Sequence, residues 1–240
     1  MHYVIGDVHN DAKRLHQMLD TIGFQRDGKE ADHLYLLGDL FDRGGAAADP
    51  VEVYFTVLGL GASCTAVEGN HDRWLAAYIR SYYALPERKR KRQKPYHYES
   101  FELLRERLTD VDVQELAEWI LLQMPLQAGL TLDGQRYLFA HAMTSPLQTE
   151  EDGYYLLGDL MTSEETYDDF LLKGTEGYIS FCGHNPTDNL IYCPGEYCDA
   201  DRPSIWHNAA GNVYMMDCGC GFADGRLACF CLETGERFYV

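Results

Sequence analysis

The chain has 240 residues, 46% of them apolar and 24% charged, which is enough to bury one substantial core, and no run of eighteen apolar residues offers a membrane-spanning helix. Its formal charge of −18 repels polyanions, so nucleic acid is not an expected partner, and a phosphate-bearing ligand would need locally supplied positive charge. Met1 runs into an apolar segment without a basic leader, and the eight cysteines of so long a chain read as reduced thiols, so a cytoplasmic location is expected.

Short apolar runs rich in β-branched and aromatic residues predict strands at 3–5, 34–37, 64–67, 137–140 and 178–182. Between them, apolar residues at three- and four-residue spacing predict helices at 12–22, 50–60, 72–85, 100–108 and 112–124. Strands alternating with helices indicate an α/β fold. The last third predicts strands at 190–192, 212–216, 227–232 and 237–239, divided by Gly, Asp and Asn turns, and reads as a second, mostly antiparallel sheet. With no linker or internal repeat, 1–240 reads as one domain carrying a helical insertion at about 72–124.

Each of the first five strands runs into residues that bind transition metals: Gly6-Asp7-Val8-His9, Gly38-Asp39, Gly69-Asn70-His71-Asp72, His141, and Gly183-His184. The carboxyl ends of strands in an open α/β sheet converge on one crevice, so residues this far apart in sequence can meet there. Two Asp, one Asn and three His make a mixed oxygen and nitrogen donor set suited to Mn, Fe or Zn, and large enough for two ions. Taken singly, any of these is an ordinary turn residue or packed histidine; the recurrence at five strand ends is what points to a site. His2, His16, His33, His97 and His207 have no such company and are assigned no role.

These motifs, with Gly38-Asp39-Leu40-Phe41-Asp42-Arg43-Gly44, stand in the order and approximate spacing of the phosphoprotein-phosphatase (serine/threonine phosphatase) branch of the calcineurin-like metallophosphoesterases, which the chain resembles along nearly its whole length. Met216-Asp217-Cys218-Gly219-Cys220 and Gly225-Arg226-Leu227-Ala228-Cys229 resemble the closing strands of its bacterial members. The resemblance implies a double β-sheet sandwich flanked by helices. It also implies a metal-dependent phosphoester hydrolase in which hydroxide held by two metals attacks a phosphoryl group. By the same resemblance Asp7 and His9 would hold one ion, Asn70, His141 and His184 the other, and Asp39 would bridge them. His71 would be the general acid, oriented by Asp42, with Arg43 and Asn70 binding the phosphate.

Several departures bear on the substrate, a phosphorylated protein or a nucleotide. Asn10 stands where the family has glycine, a position Asn tolerates. Asp72 replaces the glutamate usual in protein phosphatases, and Gly-Asn-His-Asp resembles the symmetrical diadenosine tetraphosphatases of the same branch; so does the run 183–187. Glu68 stands where protein phosphatases carry arginine, none lies between His141 and His184, and Ala142-Met143 replaces Ala-Gly. Arg73 and Arg202 are candidate substitutes for the missing phosphate-binding arginines, and Lys173 a weaker one. From the branch resemblance the leading expectation is hydrolysis of a phosphoprotein or phosphomonoester; the alternatives are a symmetrical dinucleoside tetraphosphatase, which these departures favour, and, more remotely, a catalytically silent scaffold.

Two further features invite readings. The basic run 88–94 is a solvated helix end or a polyphosphate grip. Cys218, Cys220, Cys229 and Cys231 are one buried face or, alternatively, a four-thiolate zinc site, while Cys193 and Cys198, beside Pro194 and Gly195, read as exposed thiols.

Overall fold

The computed structural model describes residues 1–27, 31–146, 152–156 and 164–240. Strand β1 (His2–Ile5) pairs in parallel with β2 (His33–Leu36), and β2 with β3 (Cys64–Ala66). Their crossovers carry α1 (Ala12–Thr21) and α2 (Pro50–Leu60), begun by Asp11 and Asp49, whose carboxylates accept from the amides of Arg14 and Glu52. After β3 come α3 (Asn70–Ala84), α4 (Glu87–Arg90), α5 (Ser100–Arg107) and α6 (Asp110–Gln123), the helices expected at 72–124.

The second sheet opens with a hairpin of β4 (Gln127–Leu132) and β5 (Gln135–Ala140), then α7 (Asp152–Leu156), α8 (Glu164–Lys173) and β6 (Ile179–Cys182). It continues through β7 (Gly195–Tyr197), β8 (Trp206–Asn208) and β9 (Val213–Met215) in the order β4-β5-β6-β9-β8-β7. Strands β10 (Ala228–Cys231) and β11 (Arg237–Tyr239) return to the first sheet, giving β11-β10-β1-β2-β3. Both sheets are mixed, since β5, β6 and β9 run parallel while β10 lies antiparallel to β1.

Two sequence expectations fail here. The last third does not form its own antiparallel sheet: β9 joins parallel to β6, and β10 and β11 close the first sheet. Residues 190–192 are not a strand, because Pro186, Asp188 and Asn189 start a 3-10 turn over Thr187–Leu190 that drives Leu190 into the core beside Trp206.

Alternation along the strands builds the layers. Tyr3, Ile5, Leu34 and Leu36 face α1, α2, α3, α5 and α6, while Val4, Tyr35, Leu37 and, on the same sheet, Phe230 face the other sheet and meet its Phe139 and Phe181. Tyr35 stacks on Phe139 with ring centroids 4.0 Å apart, joining the sheets near their centre. The far face of the second sheet is covered by Tyr167, Phe170 and Leu171 of α8. Two mixed sheets packed face to face between helices agree with the expected sandwich, and no helix of the described residues is long and apolar enough to cross a membrane.

All eight cysteines are free thiols. Cys218 packs between the sheets and Cys220, Cys229 and Cys231 on the helix side, so the four do not converge as a zinc site would require. Cys193 and Cys198 are half-buried rather than exposed.

Candidate metal centre

The parallel strands all deliver their carboxyl ends to one edge of the sandwich. Asp7 and His9 follow β1, Asp39 follows β2, Asn70 and His71 open α3 after β3, His141 follows β5 and His184 follows β6. The expected residues meet: His141 Nε2 is 3.3 Å from Asp39 Oδ1 and 2.9 Å from Asn70 Oδ1, and His184 Nδ1 is 2.9 Å from the same Asn70 oxygen. His9 Nε2 lies 3.7 Å from Asp7 Oδ2 and 3.8 Å from Asp39 Oδ2. Among the described residues, Asp7, His9 and Asp39 are the only three or more His, Cys, Asp or Glu side chains with donor atoms all within 4.8 Å of one another.

The chemistry of these contacts fits cations. His9 Nδ1 and His141 Nδ1 face the carbonyls of Phe41 and Leu37, at 3.2 and 2.8 Å, so each ring carries a proton there and turns its Nε2 into the crevice, as a lone pair in neutral His9. Asn70 Oδ1 is likewise an acceptor, and carboxylate oxygens complete the set, so lone pairs crowd against lone pairs. Burial lowers His9 to about 4 and, together with His141, lowers His184 to about 3, keeping both neutral as ligands must be. Burial and the Asp217 charge push Asp7 well above the usual carboxylate range, because nearby side chains supply too little positive charge. Against its own burial, Asp39 is held far below that range by His141. The Asp39 charge in turn outweighs the burial of His141 and raises it to about 10. A cation would take that proton's place.

Backbone conformation is unusual at these turns. Among the described residues the non-glycine positive φ values belong to His9, Asn10, Asp39, Asp42, Arg43, His184 and Asp133, the last in the β4-β5 turn, so all but one lie in the crevice loops. Close backbone approach requires glycine at two positions. A Cβ on Gly69 would sit 2.2 Å from Asp39 Oδ1, and one on Gly183 would sit 2.1 Å from Asp7 Oδ1.

Beside the donors, His71 Nδ1 is 3.0 Å from Asp42 Oδ2, which also accepts from the Tyr96 hydroxyl at 2.6 Å. The backbone amide of His71 donates to Asp39 Oδ1. Arg43 reaches the crevice, with Nη1 3.2 Å from His9 Nε2. Arg73 and Arg202 are engaged elsewhere. Arg73 forms a two-pronged pair with Glu68 and another with Asp152, and Arg202 lies 4.0 Å above the Tyr197 ring. Lys173 pairs with Asp169 one helical turn back. Of the basic run, Arg90 is tied to the carbonyls of Tyr83 and Leu85 and closes the end of α3.

Sequence reasoning missed three contributors. In the sequence Asp72 stands out only as a departure from glutamate, yet its carboxylate accepts from the amides of Leu40, Phe41 and Gly69 and so ties the 39–43 loop to the start of α3. An acid three residues into a helix is a capping signal that could have flagged it. Asp217, at the end of β9, is buried beside Asp7 and raised to about 6 by burial. Tyr96 belongs to a segment with no periodicity and left no signal.

The chain is 33% identical over 144 residues to a symmetrical bis(5′-nucleosyl)-tetraphosphatase of Proteus mirabilis, covering 60% of this chain and 45% of the relative. It is 33% identical over 148 residues to the same-named protein of Erwinia tasmaniensis, covering 60% and 44%. The matched stretch thus spans under half the length of those relatives. In fold the chain resembles a crystal structure of a candidate diadenosine tetraphosphatase, with TM-score 0.60 at 19% identity over 100% of this chain and 92% of that one. A Saccharomyces cerevisiae serine/threonine phosphatase aligns with TM-score 0.56 at 11% identity over 100% and 79%. With the calcineurin-like phosphoesterase profile matching residues 3–214, the chain belongs to that family of metal-dependent phosphoester hydrolases.

Proposed function

We propose that the chain is a symmetrical dinucleoside polyphosphate hydrolase that cuts an internal phosphoanhydride with the help of two transition-metal ions. Asp7 and His9 would hold one ion, Asn70, His141 and His184 the other, with Asp39 between them. Two cations held there would supply Lewis-acid chemistry, activating water and drawing charge from the phosphoryl oxygens. Asp42 accepts the Nδ1 proton of His71 and so fixes the ring with Nε2 toward the crevice, from which it can protonate the departing oxygen. Arg43, whose Nη1 lies 3.2 Å from His9 Nε2, would grip the phosphoryl group.

The observation that carries the substrate class is that, among the described residues named above, Arg43 is the one arginine that reaches the crevice. A terminal phosphomonoester presents three free oxygens and up to two charges, whereas an internal phosphate presents two non-bridging oxygens and one charge. One guanidinium fork matches the latter. Arg73 and Arg202, which a phosphoprotein reading needs as further phosphate ligands, are engaged with Glu68, Asp152 and Tyr197. The names of the relatives support the same choice over the phosphoprotein expectation.

The test is a Mn²⁺-supplemented panel of P1,P4-di(adenosine-5′) tetraphosphate, phosphopeptides and a simple alkyl phosphate, with products separated by chromatography. The proposal expects ADP as sole nucleotide product and the dinucleotide as preferred substrate by kcat/KM. Preference for phosphopeptides, or AMP with ATP as products, refutes it.

A further inference from the structure

Two aromatic rings from distant segments lie beside Arg43, and nothing in the chemistry above uses them. Tyr98 lies in the segment between α4 and α5, with its ring centroid 4.7 Å from that of His71. The segment is anchored on both sides. Lys94 O accepts from the Tyr78 hydroxyl, Tyr96 bonds Asp42, and the buried Ser100 hydroxyl meets the Asn10 amide and the Asp42 backbone amide. Tyr98 is therefore held, yet half-exposed. Phe222, 50% exposed, lies under the Arg43 guanidinium, whose Cζ is 5.2 Å from its ring centroid. Its loop is closed by the bonds Phe222 N to Gly219 O, Gly225 N to Phe222 O and Arg226 N to Cys218 O, and Gly221 packs on His9.

Half-exposed aromatic rings on fixed backbone beside a phosphate-gripping arginine have a specific use. They offer a flat face to a nucleobase at little ordering cost. Resting on the substrate reading above, we infer that Tyr98 and Phe222 are the two nucleobase platforms of the site, one for each half of a dinucleotide whose central phosphates lie at Arg43. The half that departs lies on the Tyr98 side, since that ring neighbours the proton donor His71. The half that retains the attacked phosphorus lies on the Phe222 side. A substrate with a base at each end of a polyphosphate would use both rings, and one without bases would use neither.

Inorganic tripolyphosphate, which has an internal phosphate but no base, isolates the effect. For Tyr98→Ala and for Phe222→Ala, the ratio of kcat/KM on P1,P4-di(adenosine-5′) tetraphosphate to that on tripolyphosphate should fall roughly tenfold, within the range of stacking losses on alanine substitution. Most of the fall should lie in KM, and Tyr98→Phe, which keeps the ring, should restore the ratio to within about twofold. If both substrates lose equally, or Tyr98→Phe is as impaired as Tyr98→Ala, the platforms are refuted while the dinucleotide activity stands. If the wild-type chain cleaves tripolyphosphate but not the dinucleotide, the substrate reading fails and the platforms fail with it.

Discussion

Replacing Asp72 by Asn tests whether this carboxylate holds the crevice together. Its Oδ1 accepts from the Leu40 and Phe41 amides at 2.9 and 3.3 Å, its Oδ2 from the Gly69 amide at 2.8 Å, and the side chain is fully buried. A carboxamide has one oxygen, so its best orientation keeps the Leu40 and Phe41 bonds and turns an NH₂ group against the Gly69 N–H. Each buried polar group stripped of its partner costs about 1–3 kcal/mol, so the orphaned Gly69 amide and the unmatched NH₂ together should cost about 3 kcal/mol. For a chain of this length that lowers the melting temperature by roughly 6–12 °C. Circular dichroism melts should be run in chelator, because metal binding would otherwise restore stability by mass action. Isothermal titration with Mn²⁺ should also show weaker binding, since Asp39 leads into the loosened loop. An Asp72→Asn protein melting within about 2 °C of wild type would refute the claim that Asp72 ties the two turns together.

Three further outcomes follow. His71→Asn should retain both metals yet lose roughly 10²- to 10⁴-fold in turnover on substrates with poor leaving groups, and much less on an activated aryl ester; an equal loss on both, or a lost metal, would show that His71 is a ligand. Asp39→Ala should lose more metal by elemental analysis than Asp7→Ala, because a residue between two ions serves both; equal retention argues against that position for Asp39. Gly183→Ala should lower Mn²⁺ affinity without touching a ligand, because its Cβ would lie 2.1 Å from Asp7 Oδ1 and displace the carboxylate; unchanged affinity would show that the β6 turn can give way.

What was legible in the sequence is the part that local chemistry encodes. The five strand ends carrying Asp7, Asp39, Asn70, His141 and His184 could be read because a parallel strand has a period, and because metal-binding residue types recur at the break after it. Helix α2 could be bounded at Pro50 and Leu60 because Asp49 and Gly61 punctuate it. What could not be read depends on approach between distant segments. Asp72 reaches Leu40 across 32 positions, Tyr96 reaches Asp42 across 54, and the pairing of β10 with β1 spans the chain. Strands β7 and β8 were missed because three-residue strands between Pro, Gly and Asp carry too little alternation to detect. The assignments of Arg73 and Arg202 rested on charge alone, and charge does not reveal that Glu68 and Tyr197 engage them first.

The strained turns connect the fold to its chemistry. His9, Asp39, Asp42, Arg43 and His184 adopt left-handed backbone at a cost of order 1–3 kcal/mol each, which a loosely attached loop would relax. They are held by bonds running between turns: the amides of Val8 and His9 both donate to Asp39 O, Asn10 N to Leu40 O, and Gly183 N to His141 O. Beneath them lie the fully buried side chains of Ile5, Leu36, Leu37 and Phe139, whose apolar contact disfavours movement of the strand ends. Turns held this way keep the side chains of Asp7, His9, Asp39, Asn70, His141 and His184 together, and on the proposed reading binding energy that would otherwise order loops would remain available to fix the ions and the phosphoryl group. On this reasoning the sandwich core would belong to the proposed metal site as much as the donor residues do, because it sets how much strain those turns can sustain.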